Sequence, residues 1–194
     1  MRILILAPHA DDGEVGAGAA IHRWVQEGHE IHYLAFSLAD GGNREEISKA
    51  LDLMGVRESL LLPFEVRRLA DARQAILNHL IQVHVDFNPD MVLLPSTDDV
   101  HQDHQVISSE GFRAFKRSTV LGYELPWNDR AFSTDLFVVV SEEDVRAKWK
   151  ALLQYKSQTD RHLVEHVWDL ARIRGRQILV PLAEAFEVLR WIMK

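Results

Sequence analysis

Apolar residues in this chain come in short runs bounded by polar clusters, and the runs alternate between strand-like and helix-like spacing. Ile3 to Ala7 is a continuous apolar run ending in polar residues, the pattern of a strand buried on both faces of a parallel sheet. Val15 to Glu27 has helical spacing and is closed by Gly28, a helix stop. Glu30 to Ser37 then predicts a strand, Arg44 to Met54 a helix closed by Gly55, Leu60 to Leu62 a short strand, and Ala70 to Phe87 a long helix. Met91 to Leu94, introduced by Asn88-Pro89-Asp90, predicts another buried strand, followed by a helix from about His104 to Phe115 and a strand from about Val120 to Glu124. Past Pro126-Trp127-Asn128-Asp129 the rhythm loosens. Leu136 to Val140 is strand-like, and Glu142 to Tyr155 and Arg161 to Arg174 are helical, the latter before Gly175. The last stretch, Ile178 to Met193, alternates like an edge strand while its length suits a helix. Such alternation predicts an α/β chain, a three-layer α/β/α Rossmann-like domain with a mostly parallel sheet, covering residues 1–194 as one domain. Ligands of such folds bind beyond the carboxyl ends of the strands.

Composition narrows the chemistry available there. The 194 residues contain no cysteine, which excludes disulfides, thiolate nucleophiles and Cys-built zinc sites. Any metal must be held by His and carboxylate. With 22 Lys+Arg against 29 Asp+Glu, the formal net charge of −7 argues against a nucleic-acid binder, whose affinity comes from cation-rich surfaces. The run after Arg2 is too short for a signal segment, and no stretch of about 18 apolar residues is present to span a bilayer. Cytoplasmic residence is the expectation.

Two polar clusters follow predicted buried strands. After the first stands Pro8-His9-Ala10-Asp11-Asp12-Gly13-Glu14, and after the fourth Thr97-Asp98-Asp99-Val100-His101-Gln102-Asp103-His104. Each alone is weak, since Asp is a good helix N-cap and a single His is often a hydrogen-bonded structural residue. Together, at strand ends that a doubly wound sheet can bring to one rim, they gather carboxylates and imidazoles whose repulsion and desolvation a divalent cation would relieve. Two neutral imidazoles and one carboxylate suit zinc with an open position for water, so His9, Asp12 and His104 are candidate ligands. Asp11 is placed to accept the proton of that water.

These residues resemble the LmbE-like, or PIG-L, deacetylases, a family that includes N-acetylglucosaminylphosphatidylinositol deacetylase and sugar deacetylases of mycothiol and bacillithiol biosynthesis. The resemblance rests on Pro8 through Gly18, on Arg44-Glu45-Glu46 with Leu53-Met54-Gly55-Val56, and on His101-Gln102-Asp103-His104, with echoes in Lys156-Ser157-Gln158 and Glu184-Ala185-Phe186. It implies a zinc-dependent hydrolase that removes an N-acetyl group from an amino sugar or sugar conjugate by way of zinc-activated water. Carried over, it makes His9, Asp12 and His104 the zinc ligands and Asp11 the base. It also makes a protonated His101 the acid that stabilises the oxyanion, with Asp103 orienting it. Arg44 matches a family arginine near the substrate, and Trp127, after another strand, can stack on a sugar ring. Ala10 stands where the family often has proline, and Glu14 comes one position later than the usual glutamate; neither change removes a ligand.

Two other readings compete. His162-Leu163-Val164-Glu165-His166 has the His-x-x-Glu-His form of inverted zinc peptidases, with Glu184 or Glu187 as a further carboxylate. Gly16-Ala17-Gly18 between strand and helix partly matches a dinucleotide fingerprint and would make the chain a nucleotide-binding module. Ile21 replaces the third glycine, however, and Asp11, Asp12 and Glu14 would repel a pyrophosphate. Small residues that let the helix pack closely on the sheet are the simpler explanation.

Overall fold

A computed structural model of the chain describes residues 1–38, 42–161 and 164–193, with backbone alone for 159–161. Among the described residues, one seven-stranded sheet has the order β3-β2-β1-β4-β5-β7-β6. Its strands are β1 (Arg2–His9), β2 (Glu30–Ser37), β3 (Glu58–Leu61), β4 (Met91–Pro95), β5 (Thr119–Tyr123), β6 (Leu136–Val139) and β7 (Ala183–Arg190). The first five are parallel; β7 runs antiparallel to both β5 and β6. The helices that join them are α1 (Asp12–Gln26), α2 (Arg44–Met54), α3 (Arg73–Phe87), α4 (Gln102–Ala114), α5 (Glu142–Leu152) and α6 (Val167–Gln177).

The alternation within β1 explains the layers. Ile3, Ile5 and Ala7 join a core with residues of α1, α2, α5 and α6, while Leu4 and Leu6 join a second core with residues of α3 and α4. Successive strand side chains point to opposite faces, so a continuous apolar run feeds both helical layers. The α/β/α expectation is met. β1 pairs with β2 on one side and with β4 on the other, which makes their boundary the point where strand order reverses. Connections there leave for opposite faces and open a crevice at the carboxyl ends.

Three expected elements change. The ambiguous C-terminal stretch is a strand over Ala183–Arg190, but an interior one; the edge is β6. The helix expected from Arg161 starts at Val167, after a 3-10 segment Lys156–Arg161, and continues through Gly175 to Gln177. Gly175 does not stop it: a Cβ there would lie 2.7 Å from the Val180 carbonyl oxygen, so glycine permits the backbone to return closely against the helix. The helix expected from Ala70 divides into a 3-10 turn, Leu69–Ala72, and α3.

The small residues of α1 have a packing explanation. A Cβ on Gly16 would come 2.2 Å from the Tyr123 ring, and one on Gly18 would come 2.9 Å from the Lys148 side chain. The volume beside Gly16 and Gly18 is filled by protein, which removes the dinucleotide reading.

Candidate functional site

His9 is the last residue of β1, Ala10 and Asp11 turn the chain, and α1 begins at Asp12. Asp11 holds the N-cap position, and its backbone carbonyl accepts the first helical bond from Val15 N at 3.0 Å, but its carboxylate makes no capping bond. Asp12 folds back so that Oδ2 accepts from His9 N at 2.8 Å. Across the switch point, Asp99 Oδ1 accepts from His101 N at 2.7 Å, and His101 caps α4 by accepting Asp103 N at Nδ1, 3.2 Å away. Parallel pairing of β1 and β4 therefore places both clusters side by side.

Three donor atoms converge. His9 Nδ1 lies 3.0 Å from Asp12 Oδ2, His104 Nε2 lies 3.1 Å from the same oxygen, and the two nitrogens are 3.2 Å apart. Ligands about 2.0–2.1 Å from a tetrahedral ion would stand about 3.3 Å apart, so the spacing fits one ion with little movement. The outer nitrogens fix the tautomers. His9 Nε2 meets Asp103 Oδ2 at 3.1 Å and His104 Nδ1 meets Asp99 Oδ2 at 2.6 Å. Each neutral ring thus keeps its proton toward an outer carboxylate and its lone pair toward the shared point. Two lone pairs and a carboxylate oxygen facing one another call for positive charge. Burial is the largest single effect and lowers both imidazole pKa values, but the charge and hydrogen bonding of Asp12, together with the hydrogen bonds that His9 donates to Asp103 and His104 donates to Asp99, outweigh it. The values rise to about 9 for His9 and about 10 for His104. Asp12 is held well below the usual carboxylate range: burial opposes ionisation, and the charges of His104 and His9 overcome it. The protons held at this point occupy the place a cation would take.

His101 is near enough that the three imidazoles each offer a nitrogen within 4.8 Å of one another. Asp12 is closer to both other rings, and His101 Nδ1 is already an acceptor. Burial, reinforced by the charges of His104 and His9, lowers the His101 pKa to about 4. The ring is neutral at neutral pH, with its proton on Nε2. The resemblance implies a protonated His101 oriented by Asp103; in the structure the Asp103 carboxylate accepts from Arg67 N at 2.6 Å and Leu69 N at 3.1 Å and meets His9 Nε2, and Asp103 meets His101 through its backbone N–H. Asp99, part of the second cluster but given no task by sequence reasoning, is the partner of His104. Its signal was the paired Asp98-Asp99 five residues before that histidine.

A second carboxyl lies beneath the turn. Glu14 is fully buried between the Tyr33 and Tyr155 hydroxyls, which also lie 3.1 and 2.8 Å from the Ala10 carbonyl oxygen. Burial raises its pKa to about 8 against the hydrogen bonds from both tyrosines. Four contacts link these groups; an ionised carboxylate leaves two tyrosine protons to serve them, and the neutral acid supplies a third. The peptide that carries Asp11 is braced by this cluster. The C-terminal echoes are braces too. Glu46 accepts from Ser157 N and Oγ at 3.0 and 2.7 Å, and Glu184 accepts from Ala20 N at 2.7 Å and Lys148 Nζ at 2.6 Å.

The donors open on a cleft of about 420 Å³ lined also by Asp11, His101, Arg67 and Trp127. Trp127 is 49% exposed. Arg44 is exposed as the first residue of α2 and is not among the side chains lining this cleft. Of the rival motif, His162 lies outside the described residues, Glu165 is exposed, and His166 precedes α6. Glu184 serves Lys148 and Glu187 accepts from Thr97, so neither carboxylate offered to that motif is available.

Residues 4–115 match the PIG-L family of GlcNAc-PI de-N-acetylases. Over 172 residues the chain is 30% identical to YaiS of Escherichia coli (strain K12), described as an uncharacterized deacetylase, covering 80% of this chain and 90% of that one. The fold is similar to the conserved protein TT1542 of Thermus thermophilus, with a TM-score of 0.83, 23% identity, and 99% and 96% of the two chains covered. It is also similar to the zinc-inhibited form of teicoplanin deacetylase Orf2, with a TM-score of 0.81, 16% identity, and 96% and 97% covered. At these identities the structures establish the fold; the family match and YaiS establish kinship. The chain belongs to the PIG-L family and is an enzyme that hydrolyses the N-acetyl amides of sugar conjugates.

Proposed function

We propose that the chain is a zinc-dependent sugar N-deacetylase in which His9, Asp12 and His104 hold the ion and Asp11 is the general base. The observation that carries this reading is the convergence of those three donors, each imidazole backed by a carboxylate, beside Asp11 in an open cleft. Bound there, zinc would polarise the acetamide carbonyl and lower the pKa of water. Asp11 takes the proton of the attacking water and returns it to the departing amine, so that amide and water become acetate and free amino sugar. His101 donates from Nε2 to the carbonyl oxygen as negative charge develops; a neutral donor fixed by its own Nδ1 bond does this without changing its protonation. Asp103 and Asp99 hold the two ligand rings, and Trp127 presents its indole to the sugar ring.

Acetate release from N-acetylated sugars should be abolished by chelation and restored by zinc. Asp11→Asn should retain about one zinc per chain while turnover falls about 10²–10⁴-fold. An Asp11→Asn protein that has lost its zinc would show that base and ligand are assigned the wrong way round.

A further inference from the structure

A groove of about 660 Å³ runs along the exposed face of α4, next to the catalytic cleft. It begins at Gln102, whose side-chain amide donates to the carbonyl oxygen of Arg67, a residue that lines the cleft. From there it passes Gln105 and Ser109, both exposed, and reaches Phe112 and Arg113, with Arg73 of α3 also in its lining. The chain is acidic, with a net charge of −7, yet no Asp or Glu is among the described residues that line this groove.

The charge gathers at the far end. The Glu110 side chain is 0% exposed, while those of Arg73 and Arg113 are 51% and 59% exposed. Glu110 Oε1 accepts from Arg73 Nε at 2.9 Å and Nη2 at 2.5 Å, and Oε2 accepts from Arg113 Nη1 at 2.5 Å. One guanidinium suffices to neutralise a buried carboxylate; a second leaves a positive charge over and sets two cations side by side. Each guanidinium has five N–H groups, of which Arg73 gives two to Glu110 and Arg113 gives one, so both keep donors on their exposed edges. Arg190 adds a third cation there, with its guanidinium 4.1 Å from the centre of the Phe112 ring.

We propose that this groove is a second substrate-binding site, in which Arg73 and Arg113 receive an anionic group, a carboxylate or a phosphate, of a sugar chain whose acetamide lies in the catalytic cleft. This rests on the deacetylase reading above. At 1.5 Å per helical residue, Gln102 and Glu110 stand about 12 Å apart along α4. The anion therefore belongs to a unit beyond the sugar that is deacetylated, and the substrate is an oligomer or conjugate rather than a monosaccharide. Glu110 fixes both planar forks before the ligand arrives, and a planar fork matches an oxyanion in two parallel hydrogen bonds. Between cleft and arginines, Gln105 and Ser109 offer hydrogen bonds suited to sugar hydroxyls.

The test measures acetate release from three tetrasaccharides by zinc-loaded wild type, Arg113→Gln, Arg113→Lys and Gln105→Glu. The substrates are neutral chitotetraose, chitotetraose carrying a reducing-end phosphate, and a hyaluronan tetrasaccharide, whose charges are carboxylates. Arg113→Gln leaves Arg73 to neutralise Glu110; Gln105→Glu puts a negative charge into the groove at an exposed position and leaves all three partners in place. The kcat/KM ratio of an anionic over the neutral substrate should fall about tenfold in Arg113→Gln, chiefly through KM, with Arg113→Lys in between, and should fall in Gln105→Glu as well. The phosphate and carboxylate arms distinguish the two anions. Raised salt should lower the wild-type ratio more than that of Arg113→Gln. A ratio unchanged in Arg113→Gln for both anions overturns the proposal; should that variant fail to fold, the same ratio in Gln105→Glu decides. If wild type releases acetate from none of the three, the deacetylase reading falls instead, and calorimetric titration of the two charged tetrasaccharides into the same proteins decides the groove separately. Binding weakened by Arg113→Gln supports it, and no binding, or binding that Arg113→Gln leaves unchanged, overturns it.

Discussion

His9 and His104 each divide their two nitrogens between an outer carboxylate and a shared interior point, and the proposed metal site rests on that division. Removing the charge of an outer partner weakens ligand basicity and frees the ring to turn. Asp99→Asn should therefore lower zinc affinity about 10–100-fold, read by competition with a chromophoric chelator; an unchanged affinity would remove Asp99 from this role. Glu14 predicts a pH effect on stability. Its folded pKa of about 8 lies above the ordinary carboxyl value of 4.5, so between those values the folded chain holds a proton that the unfolded chain has released. Its contribution is present at low pH and is lost as pH rises through that window. Urea midpoints of wild type should fall from pH 5 to pH 8 more steeply than those of Glu14→Gln, whose amide is neutral throughout. Equal slopes would mean Glu14 is ionised in the fold. At this scale the sequence was most readable where chemistry is local: the donor types and the positions 9, 11, 12 and 104 stand in two short clusters. It was least readable for Asp103, whose partner is His9 from 94 positions away, and for Asp99.

Among elements, α1 depends on small residues for its seat against the sheet. Tyr123, whose hydroxyl donates to Leu6 O at 2.9 Å, fills the space over Gly16. Gly16→Ala should destabilise the fold by about 1–3 kcal/mol or more, measured by urea unfolding, because the ring and the helix must separate. Gly28→Ala tests the other use of glycine: nothing lies within 4 Å, but φ is +80°, and the cost should be about 1–2 kcal/mol. The two variants differ in a further respect. Displacing α1 moves Asp11 and Asp12, so Gly16→Ala should also lose activity beyond its loss of stability, while Gly28→Ala should not. The apolar runs located nearly every strand and helix because periodicity is a local property. The C-terminal strand was ambiguous for the converse reason: its place between β5 and β6 depends on antiparallel pairing with residues far away in sequence.

For the whole molecule, an ion bound as proposed would join β1, α1 and α4, and should stabilise all of them together. Zinc at about 100 times its dissociation constant adds about 2.7 kcal/mol, visible as a higher thermal midpoint. Because the metal-free rings of His9 and His104 hold protons up to about pH 9 and 10, zinc must displace them. The zinc-induced rise should accordingly grow from pH 6 to pH 8. A rise independent of pH would mean the ion sits on donors that hold no proton. No helix among the described residues is long and apolar enough to cross a membrane.

The sequence by itself determined the layering and the inventory: alternating periods set strands and helices, the absence of cysteine restricted a metal to imidazole and carboxylate, and the polar clusters marked strand ends. Tertiary structure decided the pairings. Sheet order put β1 beside β4, and only that adjacency assigns Asp103 to His9 and Asp99 to His104. Spacing along a chain governs contacts within a few residues; contacts across a sheet follow from which strands pair, and that is settled by burial of the whole core.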